Sequence, residues 1–282
     1  MKSIKNLSDF IKILENIQKN RQRGNELFFR GHEDKNYKME PSLFRNKKYT
    51  YNEYKLFKEI VLEHPNEFDK DTTTLEKLVR MQHYGLPTRI LDITKNPLVA
   101  LYFACSNQDG KINKDIDGEI VVLSIPSKEI KYYDSDSVSI LSNLCKLKTL
   151  EKKFDFNLNK VKFNEQDNVY RLLHAIREEK SYFTNVIEPS DLNNIFCVKV
   201  KKNNARIIIQ DGLFLIFGLR MQEEILKTEK KWLFSLNTKY KIIINKNDKG
   251  KILKELELIN ITNKSLFPEI ENNIKMLKKI YR

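Results

Sequence analysis

Apolar residues recur at helical spacing from the start of the chain. Ile4, Leu7, Phe10, Ile11, Leu14 and Ile17 are separated by charged residues, which predicts an amphipathic helix over 9–19. Leu27-Phe28-Phe29 is a short apolar run of strand type. Helical periodicity returns over 51–63 and 74–83, and Gly85 and Pro87 stop it. Residues 88–93 alternate as a strand, and Asn96-Pro97 supplies an N-cap and a first-turn proline for a helix through Ala104. The stretch GEIVVLSI, 118–125, predicts a buried strand. Residues 126–165 look polar and irregular, an insertion with one short helix around 141–147. Helix is predicted over 168–178 and strand over 195–200. The pattern over 206–217 fits either a helix followed by a strand or one long strand, with the break at Gly212. A strand at 240–244 and helices at 249–258 and 268–280 complete the chain. Helices and strands alternate without a regular βαβ rhythm, so the expected class is α+β, a mixed sheet core flanked by helices.

Composition narrows the picture. A chain of 282 residues that is 40% hydrophobic and 10% aromatic is globular, and no repeat or linker marks a boundary within it. Eight Gly and seven Pro exclude collagenous and Gly- or Pro-rich architectures. Three scattered cysteines (Cys105, Cys145 and Cys197) fit neither a disulfide framework nor a zinc module, and imply a cytoplasmic location. The N-terminal pattern is amphipathic, and the most apolar stretch, 207–219, contains Gln210 and Asp211. Neither a signal peptide nor a membrane span is therefore expected. The net charge is +13, and residues 195–282 hold 19 Lys and Arg against 9 Asp and Glu. A basic C-terminal third suits nucleic acid or phosphate-bearing ligands. The alternative is a general compositional bias, because the lysines are dispersed among apolar residues.

Most standard catalytic motifs are absent. There is no Gly-rich phosphate loop, no nucleophile elbow and no metal-ligand spacing among the four histidines, 32, 64, 83 and 174. Two polar clusters remain. In LFFRGHED, 27–34, Arg30 follows an apolar run and Gly31 permits a turn or a close approach. A guanidinium there suits a phosphate or carboxylate ligand, or else a structural pair with Glu33 or Asp34. In 81–104, Gln82, His83 and Tyr84 end a helix, and the next strand carries Thr88, Arg89, Asp92 and Thr94. Alternation places Thr88, Ile90, Asp92 and Thr94 on one face and Arg89, Leu91 and Ile93 on the other. Such a polar face needs partners or a ligand. It is either a binding surface or a buried network in which Asp92 bonds to backbone amides or to Arg89.

These clusters resemble the FRG domain family, named for its Phe-Arg-Gly motif. The resemblance rests on Phe29-Arg30-Gly31, Tyr37, Pro41-Ser42-Leu43-Phe44-Arg45, QHYGLPTRILDIT and NPLVALYFA. It extends through Asp117-Gly118-Glu119-Ile120, Arg206, Gln210-Asp211-Gly212-Leu213-Phe214 and Ser265-Leu266-Phe267-Pro268. It implies one domain over 1–282, with an N-terminal helix (1–24), a core (25–125), the 126–165 insertion and a C-terminal part (166–282). A weaker resemblance is to ADP-ribosyltransferases, and it implies their fold, NAD as substrate and no metal. On that resemblance Arg30 engages the NAD diphosphate and Thr88 or Thr94 the ribose, with Gly31, Tyr84, Arg89 and Phe214 completing the binding set. His83, Asp92 and Gln210 are the candidates for chemistry, His83 because its ordinary pKa lies near neutral. Where a Glu would drive transfer, this chain has Gln210-Asp211-Gly212, and Gln carries no charge. Glu119, Asp92 and Asp211 are the other carboxylates on offer.

Three functions follow as expectations: an NAD-using effector such as a toxin or anti-phage protein, a nucleotide- or macromolecule-binding module without chemistry, or a basic nucleic-acid-binding protein. In the first, a protein or nucleic acid would be the target. Whether Arg30, His83, Thr88, Asp92 and Gln210 meet in one cleft discriminates among them.

Overall fold

Eight strands form one mixed sheet in the computed structural model, which describes residues 2–107, 109–219, 232–233, 241–269 and 274. The strands are β1 (Lys2–Ile4), β2 (Asn25–His32), β3 (Ile90–Thr94), β4 (Gly118–Pro126), β5 (Ile130–Tyr132), β6 (Ile195–Lys199), β7 (Gly212–Phe217) and β8 (Lys241–Ile244). Their spatial order is β1-β8-β4-β2-β3-β7-β6-β5. The outermost pairs, β1 with β8 and β5 with β6, are parallel, and the others are antiparallel. The α+β class with helices flanking a mixed sheet is therefore observed.

Helices α1 (Leu7–Lys19), α2 (Lys47–Tyr51), α3 (Glu53–Glu63), α4 (Pro65–Phe68) and α5 (Thr74–His83) precede β3, and α6 (Pro97–Cys105) follows it. Helices α7 (Asp136–Asn143), α8 (Lys160–Asn164) and α9 (Asp167–Arg177) lie between β5 and β6. Helix α10 (Ala205–Ile209) leads into β7, and α11 (Lys249–Glu257) and α12 (Asn263–Leu266) follow β8. Local chemistry sets these ends. Thr73 and Glu76 form a reciprocal capping box at α5, and the Asn96 side chain accepts the Leu98 N–H ahead of Pro97 at α6. The 206–217 segment resolves as helix then strand. The helix expected over 268–280 lies almost wholly outside the described residues.

Two glycines bring α6 onto the sheet. A Cβ on Gly31 would sit 1.9 Å from the Ala100 carbonyl oxygen, and one on Gly118 would sit 1.9 Å from that of Ala104. With Ala at positions 100 and 104 and Gly beneath each, helix backbone rests directly on strand backbone. The close approach at Gly31 is thus made by a helix. Helix α6 is buried nearly all round because β2, β4 and α11 all contact it.

The 126–165 segment is more ordered than its composition predicts. Val138, Leu141, Leu144, Cys145 and Phe163 are wholly buried and join α5 and α9 in the largest hydrophobic cluster. Four of its polar residues, Ser139, Ser142, Asn143 and Asn164, are buried too, and Asn143 donates to the Ser139 carbonyl and Glu179 and accepts from the Thr74 hydroxyl. Among the described residues, no helix is long and apolar enough to cross a membrane.

Candidate functional site: an arginine-lined cleft at the sheet's central seam

Strands β2 and β3 are neighbours at the centre of the sheet, yet they share a single register pair, Phe29 with Thr94. Past that pair the ladder stops, and a cleft of about 410 Å3 opens beside it. Strand β2 supplies Arg30, β3 supplies Asp92, the end of α5 supplies Gln82 and His83, and α10 with its C-cap supplies Arg206 and Gln210. Phe103 of α6 and Phe214 of β7 add apolar walls, and Ser42 and Arg45 come from the loop before α2.

Arg30 stands where the ladder fails. One Nη donates to the Asp92 backbone carbonyl, and Nε donates to His32 Nε2 at 3.1 Å. Burial draws its pKa down to about 10, with Asp92 opposing the shift and Arg45 reinforcing it. The guanidinium therefore remains charged at neutral pH. Arg45 is braced by two bonds to the Glu40 carbonyl, at 2.9 and 3.1 Å. Arg206 lies over the Phe267 ring, 4.6 Å from its centroid. Among the described residues, three guanidinium groups and one carboxylate line the cleft, which gives it a net positive character.

That carboxylate is Asp92, exposed in the cleft. Gln82 Nε2 donates to Asp92 Oδ2, and the Thr88 hydroxyl donates to Gln82 Oε1 at 2.7 Å. Thr88 is buried and acts on the cleft through Gln82. His83 Nε2 lies 3.4 Å from Glu269 Oε1, and its ring meets Tyr84 edge-on. Thr94 lines the cleft, but its hydroxyl donates to the Gln210 carbonyl at 2.5 Å and accepts from the Asn96 N–H at 2.9 Å. It fixes the turn into α6 while closing the α10–β7 junction. The Gln210 side chain donates to the Leu266 carbonyl at 3.0 Å, which ties α10 to α12.

Arg30, His83, Asp92 and Gln210 thus meet in one cleft, with Gly31, Thr94 and Phe214 in its walls and Thr88 just behind. Two proposed ligand contacts lie elsewhere. Arg89 is 2% exposed and points away from Asp92, as the alternation implied. It donates to Glu53 through Nε at 2.8 Å and through Nη2, and to the Phe217 and Gly218 carbonyls. Lys152 completes that ion cluster, so Arg89 is a buried staple between β3, β7 and α3. Tyr84 is 66% exposed and outside the cleft lining. Of the other carboxylates, Glu119 is buried behind β2 against His32 and Lys241, and Asp211 pairs with Lys202 at 3.4 Å. Arg45 and Arg206, like Gln82 and Phe103, are cleft residues to which the sequence assigned no role. Their signal was present, since both fall in the motif blocks, but nothing local shows that they converge with Arg30.

Among the described residues no group of three or more His, Cys, Asp or Glu is placed to hold a metal ion. Residues 25–112 match the family model of the FRG domain, a stretch running from β2 past α6. No curated protein and no solved structure matches the chain.

Proposed function

We propose that this chain, which carries an FRG domain over residues 25–112, binds a phosphate-bearing nucleotide of the NAD type in the seam cleft and breaks its N-glycosidic bond, as an ADP-ribosyltransferase-like effector. The observation that carries the reading is the meeting of three arginines and one exposed carboxylate in one cleft with aromatic walls. Arginine forks match phosphate oxygens and keep their charge at neutral pH. The Phe103 and Phe214 walls suit a base or nicotinamide ring.

In the reaction, the bond between ribose C1′ and the nicotinamide nitrogen breaks, and its electron pair leaves with neutral nicotinamide. The positive charge developing on the ribose is stabilised by the Asp92 carboxylate, held in place by Gln82 and Thr88. Water or an acceptor nucleophile then adds to C1′ and releases a proton, which His83 is placed to take. Gln210 contributes position rather than charge, because its amide is bonded to the Leu266 carbonyl.

That same engagement of Gln210 favours a second reading, a nucleotide-binding module without turnover. Among the described residues, part of the charge of the basic C-terminal third is already engaged within the fold. Lys199, Lys201, Lys202 and Lys241 are paired with carboxylates, and Lys249 is wholly buried against backbone carbonyls.

Incubating purified protein with NAD, with and without cell extract, tests these readings through NAD loss and nicotinamide release. Turnover that disappears in a folded Arg30→Ala variant supports the enzyme. Asp92→Asn is expected to keep binding and lose turnover. Protection of the fold by NAD without consumption supports the binding module. Neither turnover nor protection removes NAD from the cleft.

A further inference from the structure

One buried row of charge does nothing in the steps above. Arg30 and His32 are two residues apart on β2 and so share a face. Register places Glu119 opposite His32, and Lys241 opposite Val121, the partner of Arg30. On that face Glu119 Oε1 lies 3.0 Å from His32 Nδ1, and Lys241 Nζ lies 3.0 Å from both Glu119 oxygens. His32 and Glu119 are 3% and 1% exposed. A carboxylate so buried is costly unless its oxygens are engaged.

The donor pattern fixes the histidine. Arg30 Nε can only donate, so His32 Nε2 must accept, which leaves Nδ1 to carry the proton and donate to Glu119. The free neutral histidine side chain prefers the opposite tautomer, with the proton on Nε2. The surrounding charges are Arg30 on the same strand, Glu119 on β4 and Lys241 on β8. The Tyr37 ring stands edge-on to His32 at 6.1 Å, with the Arg45 guanidinium over that ring. Burial, with Arg30 and Lys241, holds His32 neutral against the pull of Glu119, at a pKa of about 4.

We propose that Glu119 and His32 are positioning residues. They clamp Nε of Arg30 from its own face of β2 so that the rest of its guanidinium projects into the seam cleft towards an anionic ligand. This deepens the proposed function and rests on Arg30 as the anion contact. Lys241 holds Glu119 in place through contacts to both of its oxygens. Without the relay Arg30 keeps its charge but loses its fixed direction, so affinity falls while the fold persists.

Two measurements separate the relay from the NAD reading. The first is 15N NMR of histidine-labelled protein, with the His32 signals identified by their loss in His32→Gln. The expected pattern is a neutral Nδ1–H tautomer at pH 7, whereas an Nε2–H tautomer or ordinary titration near neutral overturns the relay whatever the protein binds. The second is NAD and inorganic pyrophosphate affinity by calorimetry on folded variants. His32→Phe, which abolishes both contacts, is expected to weaken either probe by about ten- to a hundredfold. His32→Gln can accept from Arg30 and donate to Glu119, and is expected to restore most of that loss, which a merely structural role would not produce. If Arg30→Ala abolishes binding while His32→Phe leaves affinity unchanged, the relay is overturned and the anion site stands. If Arg30→Ala leaves binding unchanged, the anion reading fails, and with it the role proposed for the relay.

Discussion

Replacing Gly31 with alanine places one methyl group between a strand and a helix that touch through their backbones. The added Cβ would lie 1.9 Å from the Ala100 oxygen and 2.7 Å from the Ala104 nitrogen. Ordinary contact needs about 3.4 Å, so α6 must retreat by roughly 1.5 Å. Overpacking that side chains can absorb costs about 1–3 kcal/mol, and here the obstacles are backbone, so ~3 kcal/mol is expected. In a chain of this size that lowers Tm by about 6–12 °C, from the usual shift of ~2–4 °C per kcal/mol. Gly118→Ala meets the same helix and should behave alike. The double variant should fall short of the sum, because one retreat of α6 relieves both clashes. Gly250→Ala is the control of opposite sign. Its Cβ would meet only Ile112 Cδ1, at 3.8 Å, within the first turn of α11, so alanine should stabilise by a few tenths to ~1 kcal/mol. Urea and thermal unfolding followed by far-UV circular dichroism read all four. A Gly31→Ala protein within ~0.5 kcal/mol of wild type would refute the direct seating of α6 on β2.

Arg89→Met leaves Glu53 buried with Lys152 as its remaining cation and strips two carbonyls of their donor, so a loss of about 3–5 kcal/mol in urea unfolding is expected. Stability should also fall on acidification between about pH 6.5 and 4, because the unfolded chain takes up a proton at His32 that the folded chain refuses. The effect is on the order of 3 kcal/mol, and His32→Gln should flatten that part of the profile. A second loss follows at lower pH. Burial raises the Glu53 carboxyl, but Arg89 and Lys152 outweigh it and bring it to about 2, so its contribution holds above the usual carboxylate range and fades as pH falls towards 2. The three thiols are buried, and burial pushes each up to about 12, so a thiol reagent at pH 7 should label none of them until the chain unfolds.

Much of this architecture was legible because it is local. Asn96-Pro97 marks a helix start through a cap that involves only neighbouring residues. The strand of 118–125 follows from its continuous apolar run, and the alternation on either side of Asp92 from period. Alternation also carried the correct message about Arg89, turned from Asp92 towards Glu53, a partner 36 residues away that no local pattern shows. The order of 126–165 was hidden because α7 buries residues on every side, Ser139, Ser142 and Asn143 among them, so its apolar and polar positions do not separate into faces. The convergence of Arg45 and Arg206 with Arg30, and the break in the ladder after Phe29, depend on how strands distant in sequence meet. Neither leaves a trace in spacing.

That break has a consequence for what can be cut from this chain. It divides the strand order into β1-β8-β4-β2 on one side and β3-β7-β6-β5 on the other. The polypeptide passes back and forth between these sets, so neither is a contiguous piece. The family-matched stretch, 25–112, holds β2 and β3 but stops before β4 and β7, the strands with which they form full ladders. Expressed alone, it would present two long unsatisfied edges joined at one residue pair, a recipe for aggregation rather than folding. The motif that marks the family is thus the clasp between two half-sheets, and it takes its rigidity from chain that the motif does not include.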